Sequence, residues 1–148
     1  MKKPLSAIIR TIIFLAAAVG LAYFGNLKYQ AHLGQKAIDS TGLNVSSLDE
    51  ALALSEKSGK PVLANLSAIW CPSCRRLDYE VLSNEDVVQR IQSDYHYARV
   101  EYDSDEGKAF KERYKLSGFP NLIVLDENGN SLKHLPRSFS PDSFLSSL

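Results

Sequence analysis

The chain has 148 residues, 45% hydrophobic and 23% charged, the balance of a globular protein rather than a disordered one. Its 17 Lys and Arg residues offset 17 Asp and Glu, so no net field recruits nucleic acid, and no basic block supplies one locally. The length allows one modest domain plus an appendage.

Lys2, Lys3 and Arg10 precede residues 11–24 (TIIFLAAAVGLAYF), which are almost wholly apolar. A charged start followed by an apolar run is the pattern of an export signal. It equally suits a signal anchor whose basic end stays in the cytoplasm. Residues 8–27 are numerous enough to span a hydrocarbon core of ~30 Å, provided Arg10 snorkels. Gly20-Leu21-Ala22 offers small residues to a signal peptidase, but the apolar run continues past them to Phe24, which favours retention. Residues 1–25 are therefore expected as a signal anchor or signal peptide. No cysteine follows the apolar run, which excludes an N-terminus of the bacterial lipoprotein type. Either outcome places the remainder outside the cytoplasm, where disulfides persist.

Residues 26–43 mix polarities with weak periodicity and read as a partly helical tether. Ser47-Leu48-Asp49-Glu50 forms a capping box that starts a helix through about Lys57, with Leu48, Ala51, Leu52 and Ser55 on one side. Gly59-Lys60-Pro61 stops it, and residues 61–66 (PVLANL) read as a central strand. Trp70-Cys71-Pro72-Ser73-Cys74 then opens a helix, with Cys71 at the N-cap, Pro72 at the first helical position, and Leu77, Val81 and Leu82 inward. Residues 84–91 predict a short helix with Val87, Val88 and Ile91 toward the core. Residues 95–102 predict a strand, and residues 105–116 a helix with Ala109, Phe110 and Tyr114 inward. Residues 121–125 (NLIVL) and 131–135 predict two strands joined through Asn128-Gly129, the strongest short hairpin signal in the chain. Ser140-Pro141-Asp142 caps a last helix. A βαβ half followed by a ββα half implies a mixed sheet covered by helices.

Cys71 and Cys74 are the only cysteines. A helix N-terminus offers unpaired N–H groups and the positive end of the macrodipole, which favour the Cys71 thiolate and draw its pKa below the free value of about 8.5. Cys74, one turn later, is placed to resolve a mixed disulfide. Arg75 and Arg76 add charge nearby, or form a solvated face with an Arg76–Glu80 pair. A purely structural bridge is unattractive, because so short a loop constrains the unfolded chain little. A zinc or copper site needs further ligands, and His32, His96 and His134 are scattered without ligand spacing. Redox exchange is the reading that remains best supported.

Residues 61–76 (PVLANLSAIWCPSCRR), with Gly118-Phe119-Pro120 before NLIVL, resemble the thioredoxin superfamily over about residues 44–148. The KPV strand entry, LSNEDV and LDENGN are similar to membrane-tethered periplasmic members and to the C-terminal domain of DsbD-type thiol:disulfide interchange proteins. The resemblance implies a thioredoxin-like α/β fold in which Cys71 is the exposed nucleophile and Cys74 the buried resolving thiol. It implies that Trp70 packs beside the disulfide and that Pro120 is cis, aiming the backbone of Phe119 at an extended substrate. Pro72 and Ser73, between the cysteines, influence the potential. Where the family carries a buried aspartate that serves the resolving cysteine, this chain has Asn65, which cannot exchange protons near neutral pH. Glu101 on the neighbouring strand is the nearest candidate replacement, and Arg99 stands where thioredoxins often have a lysine.

The function so implied is an extracytoplasmic thiol:disulfide oxidoreductase, reducing protein disulfides through Cys71 and Cys74 without a metal or other cofactor. It would be fed by a membrane-embedded electron donor and held by a single span in a bacterial inner membrane with the domain in the periplasm, or released there if the signal is cleaved. The alternatives are a soft-metal module using the two cysteines as ligands, and an interaction protein of the same fold with little turnover.

Overall fold

The computed structural model describes residues 5–148; the basic residues Lys2 and Lys3 lie outside the described residues. The first element, α1 (Leu5–Asp39), is one uninterrupted helix of 35 residues. Its N-terminal part exposes Ile12, Ile13, Phe14, Leu15, Val19 and Leu21, so the apolar run finds no partner among the described residues. The segment expected as a partly helical tether, residues 26–43, is helical through Asp39, as the continuation of this helix. Gly34 and Ala37 are buried there, and Gln30 and Ile38 are half-buried, so one helical face meets the domain. The weak hydrophobic periodicity has a physical cause: this contact is made by small and polar residues rather than large apolar ones. Gly42, at φ 67°, then turns the chain away.

The capping box at Ser47 forms as expected: the Ser47 hydroxyl accepts the Glu50 N–H at 3.3 Å, and the Glu50 carboxylate accepts the Ser47 N–H at 3.0 Å. It starts α2 (Leu48–Ser58), which ends at left-handed Gly59. β1 (Val62–Ser67) follows with all six residues buried. α3 (Pro72–Leu77) runs directly into a π-helical turn, Asp78–Leu82, and α4 (Glu85–Asp94) and β2 (His96–Glu101) follow. α5 (Asp105–Arg113), β3 (Asn121–Leu125), β4 (Ser131–His134) and α6 (Pro141–Ser147) complete the chain.

The strand order is β2-β1-β3-β4, with β1 and β2 parallel and the other two pairs antiparallel. Alternation along the central strand divides the core. Leu63 joins Tyr97, Leu122 and Val124 against Leu77, Val81, Val87, Ile91 and Phe144, the layer of α3, α4 and α6. Val62, Ala64 and Leu66 join Val100 and Ile123 against Leu48, Ala51, Phe110 and Tyr114, the layer of α2 and α5. This is the thioredoxin-like mixed sheet between helices that the sequence implied, and α1 lies against α3 and the π-helical turn.

Two local expectations shift. Ala109 is exposed, and the inward place at the start of α5 belongs to Gly107. A Cβ at Gly107 would collide with the carbonyl oxygen of Glu101, so Gly107→Ala should lower stability by about 1–3 kcal/mol through overpacking, read as a shifted urea midpoint at unchanged slope. The β3–β4 connection is organised by Asp126 rather than by a tight Asn-Gly pair: its carboxylate accepts N–H bonds from Asn128 at 2.9 Å and Asn130 at 2.7 Å.

Candidate active site

β1 ends at Ser67, and the chain turns through Ala68, Ile69 and Trp70 into α3. Cys71 occupies the N-cap and Pro72 the first turn; the Cys71 Sγ accepts the Cys74 N–H at 3.1 Å. That contact is one a thiolate strengthens, because a charged acceptor gains most from an orphan helix N–H. The Ser73 hydroxyl lies 3.1 Å from the same sulfur. The two cysteines are paired as a disulfide, with Cα atoms 5.2 Å apart. Cys74 is 1% exposed, and Cys71 only 3%. The expectation of an exposed Cys71 is corrected here: in the paired state its sulfur is turned inward among Ala68, Cys74 and the partly buried rings of Tyr102 and Phe119.

An aromatic cluster covers the pair. The Trp70 and Phe119 rings meet edge to face at 5.5 Å, and Phe119 leans on Tyr102 at 4.6 Å. Trp70 is 40% exposed, and its indole N–H donates to the Asp103 carboxylate. The Phe119–Pro120 peptide is cis, as the resemblance implied. Glu101 does not reach into the sheet; its carboxylate accepts the Ile69 N–H at 3.1 Å and braces the turn before Trp70. Burial pushes the Glu101 carboxyl above the usual range, against the lowering effect of that hydrogen bond.

Beneath α3 lies a buried polar network. Asn65 is fully buried and donates from Nδ2 to the Tyr97 hydroxyl at 2.8 Å. Its Oδ1 has no hydrogen-bond partner among the described residues, nor does Arg99 Nε. Arg99 sits opposite Asn65 in the β1–β2 register. It donates from Nη1 to both Asp78 carboxylate oxygens, at 3.0 and 3.1 Å, and from Nη2 to the Ser67 hydroxyl at 2.7 Å. Asp78 begins the π-helical turn four residues after Cys74, hence on the same helical face. Burial pushes its carboxyl above the ordinary aspartate value despite the Arg99 guanidinium. Sequence reasoning missed Asp78; the spacing from Cys74 and the pairing of Arg99 with Asn65 were the signals available.

Phe119 packs against the Cys71–Cys74 pair and Trp70 meets its ring, Pro120 follows Phe119 through the cis peptide, Pro72 and Ser73 lie between the cysteines, and Asn65 and Glu101 lie on β1 and β2. The Arg76–Glu80 pair forms at 2.8 Å, with Arg76 also 4.5 Å from the Phe139 ring. Of the histidines, His96 bonds to the Ser58 hydroxyl at 2.8 Å, and no group of three metal-binding side chains occurs among the described residues.

A family model of thioredoxin-like proteins matches residues 44–127. The thiol:disulfide interchange protein DsbD 1 of Pseudomonas aeruginosa is 31% identical over 94 residues, which cover 61% of this chain and 15% of that protein. The chain thus spans well under a quarter of the length of the curated DsbD relatives it matches. A thioredoxin from Thermus thermophilus superposes with a TM-score of 0.64 at 27% identity, over 70% of this chain and 82% of that one. The C-terminal domain of Neisseria meningitidis DsbD, in its oxidised form, gives 0.56 at 26% identity, over 67% and 88%. With more than half of its length matched by the family model and a paired CxxC at the head of α3, the chain belongs to the thioredoxin-like family.

Proposed function

We propose that the protein is a membrane-anchored, extracytoplasmic reductant of protein disulfides. The observation that carries this reading is the Cys71–Cys74 pair at a helix N-terminus with the Phe119 ring packed against it, in a domain continuous with an exposed apolar helix. The names of the DsbD relatives support exchange as the chemistry.

The Cys71 thiolate attacks one sulfur of a substrate disulfide; the S–S bond breaks, and the other sulfur leaves as a thiolate that takes a proton. Cys74, losing its own proton, then attacks the Cys71 sulfur, releasing the second substrate thiol and closing the Cys71–Cys74 disulfide. Two electrons pass to the substrate, and the cysteines alone carry them. A membrane-embedded dithiol donor returns them to the pair. Trp70, Phe119 and Pro120 form the surface against which an extended substrate segment lies. Pro72 and Ser73 set the environment of the Cys71 sulfur. Asn65 replaces the usual proton acceptor behind Cys74, so the proton leaves through water or through the Asp78 carboxyl one turn further along the helix. The apolar part of α1 spans a bacterial inner membrane once, with the domain in the periplasm.

Two measurements on the purified chain test this. Insulin reduction should proceed at a rate comparable to that of a thioredoxin; a chain without exchange activity that takes up Cu(I) or Zn(II) stoichiometrically would be a metal module instead. Equilibration against glutathione should place the potential below about −200 mV, whereas a value near about −120 mV would make it an oxidant.

A further inference from the structure

The helix that carries the apolar run is also the helix that touches the active-site turn. A Cβ at Gly34 would collide with the carbonyl oxygen of Ile69, two residues before Cys71, so the two backbones are in direct contact. One turn earlier, the Gln30 Oε1 accepts from Arg75 Nη1 at 3.0 Å. Arg75 Nη1 also donates to the Trp70 carbonyl at 3.3 Å. Ala37, one turn beyond Gly34, is fully buried. Gln30 and Gly34 thus clamp α1 to both sides of the CxxC, and no break separates the clamp from the apolar stretch. Tyr23, Phe24, Lys28 and Tyr29 mark where that stretch ends, the mixture that settles at the level of lipid headgroups.

From this continuity we infer that α1 is a rigid strut that holds the Cys71–Cys74 pair close over the bilayer, so that its partner is a disulfide or dithiol presented at the membrane surface. The inference rests on the membrane-anchored exchange reading above and deepens it. At 1.5 Å per residue, Gly34 stands about 10 Å beyond Leu27 along the helix. Cys71 follows Ile69 by two residues, a further ~7 Å at most. With about 6 Å more for the step from Gly34 to Ile69, the disulfide is held within roughly 24 Å of the point where the apolar stretch ends. A loosely tethered domain would sample all heights. This one is fixed at a height suited to a loop of a membrane-embedded protein or a lipid-proximal thiol.

The test uses the full chain, reduced, in phosphatidylcholine vesicles. Some vesicles contain phosphatidylethanolamine bearing a pyridyl disulfide on its headgroup; others receive soluble dithiodipyridine. Cys71 displaces pyridine-2-thione and forms a mixed disulfide, and Cys74 then releases the second thiol, so one protein dithiol is oxidised for each disulfide reduced. A helical insert of two heptads between Lys28 and Tyr29 lifts the site by ~21 Å without touching the clamp. Its reaction with the soluble probe should equal that of the unaltered chain, while its reaction with the lipid probe falls about tenfold or more as effective concentration is lost. An unchanged ratio of the two rates overturns the strut. Failure of the unaltered chain to react with the soluble probe would instead remove the exchange reading itself. The single tryptophan, Trp70, gives a second readout that needs no variant: dansyl groups on the lipid headgroups should quench its emission by at least about half, and negligible quenching also overturns the proposal.

Discussion

Replacing Cys74 by Ala is expected to turn the catalyst into a trap. In the native chain Cys74 lies in the same short loop as Cys71, with its sulfur in bonding range, so resolution of a mixed disulfide is intramolecular. Such proximity corresponds to very large effective molarities. Without Cys74 the adduct must wait for an external thiol, and multiple-turnover insulin reduction should fall by about a hundredfold or more. The Cys71 attack itself is kept, because the Cys74 N–H that points at its Sγ belongs to the backbone and survives the substitution. Non-reducing mass spectrometry of Cys74→Ala recovered from its host should therefore show covalent protein adducts, absent from a Cys71→Ala, Cys74→Ala double variant. A Cys74→Ala chain that turns over at the native rate would overturn the division of labour between the two thiols.

The second large effect concerns the polar cluster under α3. Asp78→Ala leaves the Arg99 guanidinium, itself 8% exposed, without its only carboxylate partner among the described residues. Breaking one side of a buried ion pair destabilises by about 3–5 kcal/mol, because the surviving charge stays desolvated. Adding Arg99→Met should return most of that loss, since an apolar replacement of the whole pair is often neutral. A double-mutant cycle by urea denaturation reads the coupling directly; additive losses would mean that the pair contributes nothing beyond its separate contacts. The pH dependence has a definite sign. Burial raises the Asp78 carboxyl above its unfolded value, so across the interval between the two values the folded chain binds a proton that the unfolded chain has released. The contribution from this group is fully present below the ordinary aspartate pKa and is lost as pH rises through the folded-state value. Glu101, also raised by burial, acts in the same direction. The Asp78→Ala variant should show a shallower decline of stability with rising pH over that window.

What the sequence made legible was whatever leaves a short-range chemical trace. β1 announced itself as an apolar run after a breaker, α2 by its capping box, and α3 by Pro72 behind an N-cap cysteine; all three form where expected. The cis Pro120 followed from the family resemblance rather than from any local pattern, whereas the edge-to-face contact of Trp70 with Phe119 was not foreseen. What escaped depends on tertiary neighbours. Asp78 is an ordinary surface-type residue until the β1–β2 register brings Arg99 beneath it. The docking of α1 rests on Gly34 and Ala37, whose small side chains carry almost no hydrophobic signal, yet their smallness is what allows close contact. Gly107 displaced Ala109 from the inward place for the same reason.

The Cys71–Cys74 bond closes a loop entirely inside the crossover between two parallel strands, and it crosses no boundary between layers. Opening it releases almost no chain entropy, because loop-closure entropy grows with the length enclosed. No strand pairing passes through the two residues it joins, so opening the bond removes no sheet hydrogen bond directly. The molecule resembles a rechargeable cell whose casing is indifferent to its charge: the two-electron cycle runs at one end of α3, and the scaffold that presents it does not have to refold between turnovers.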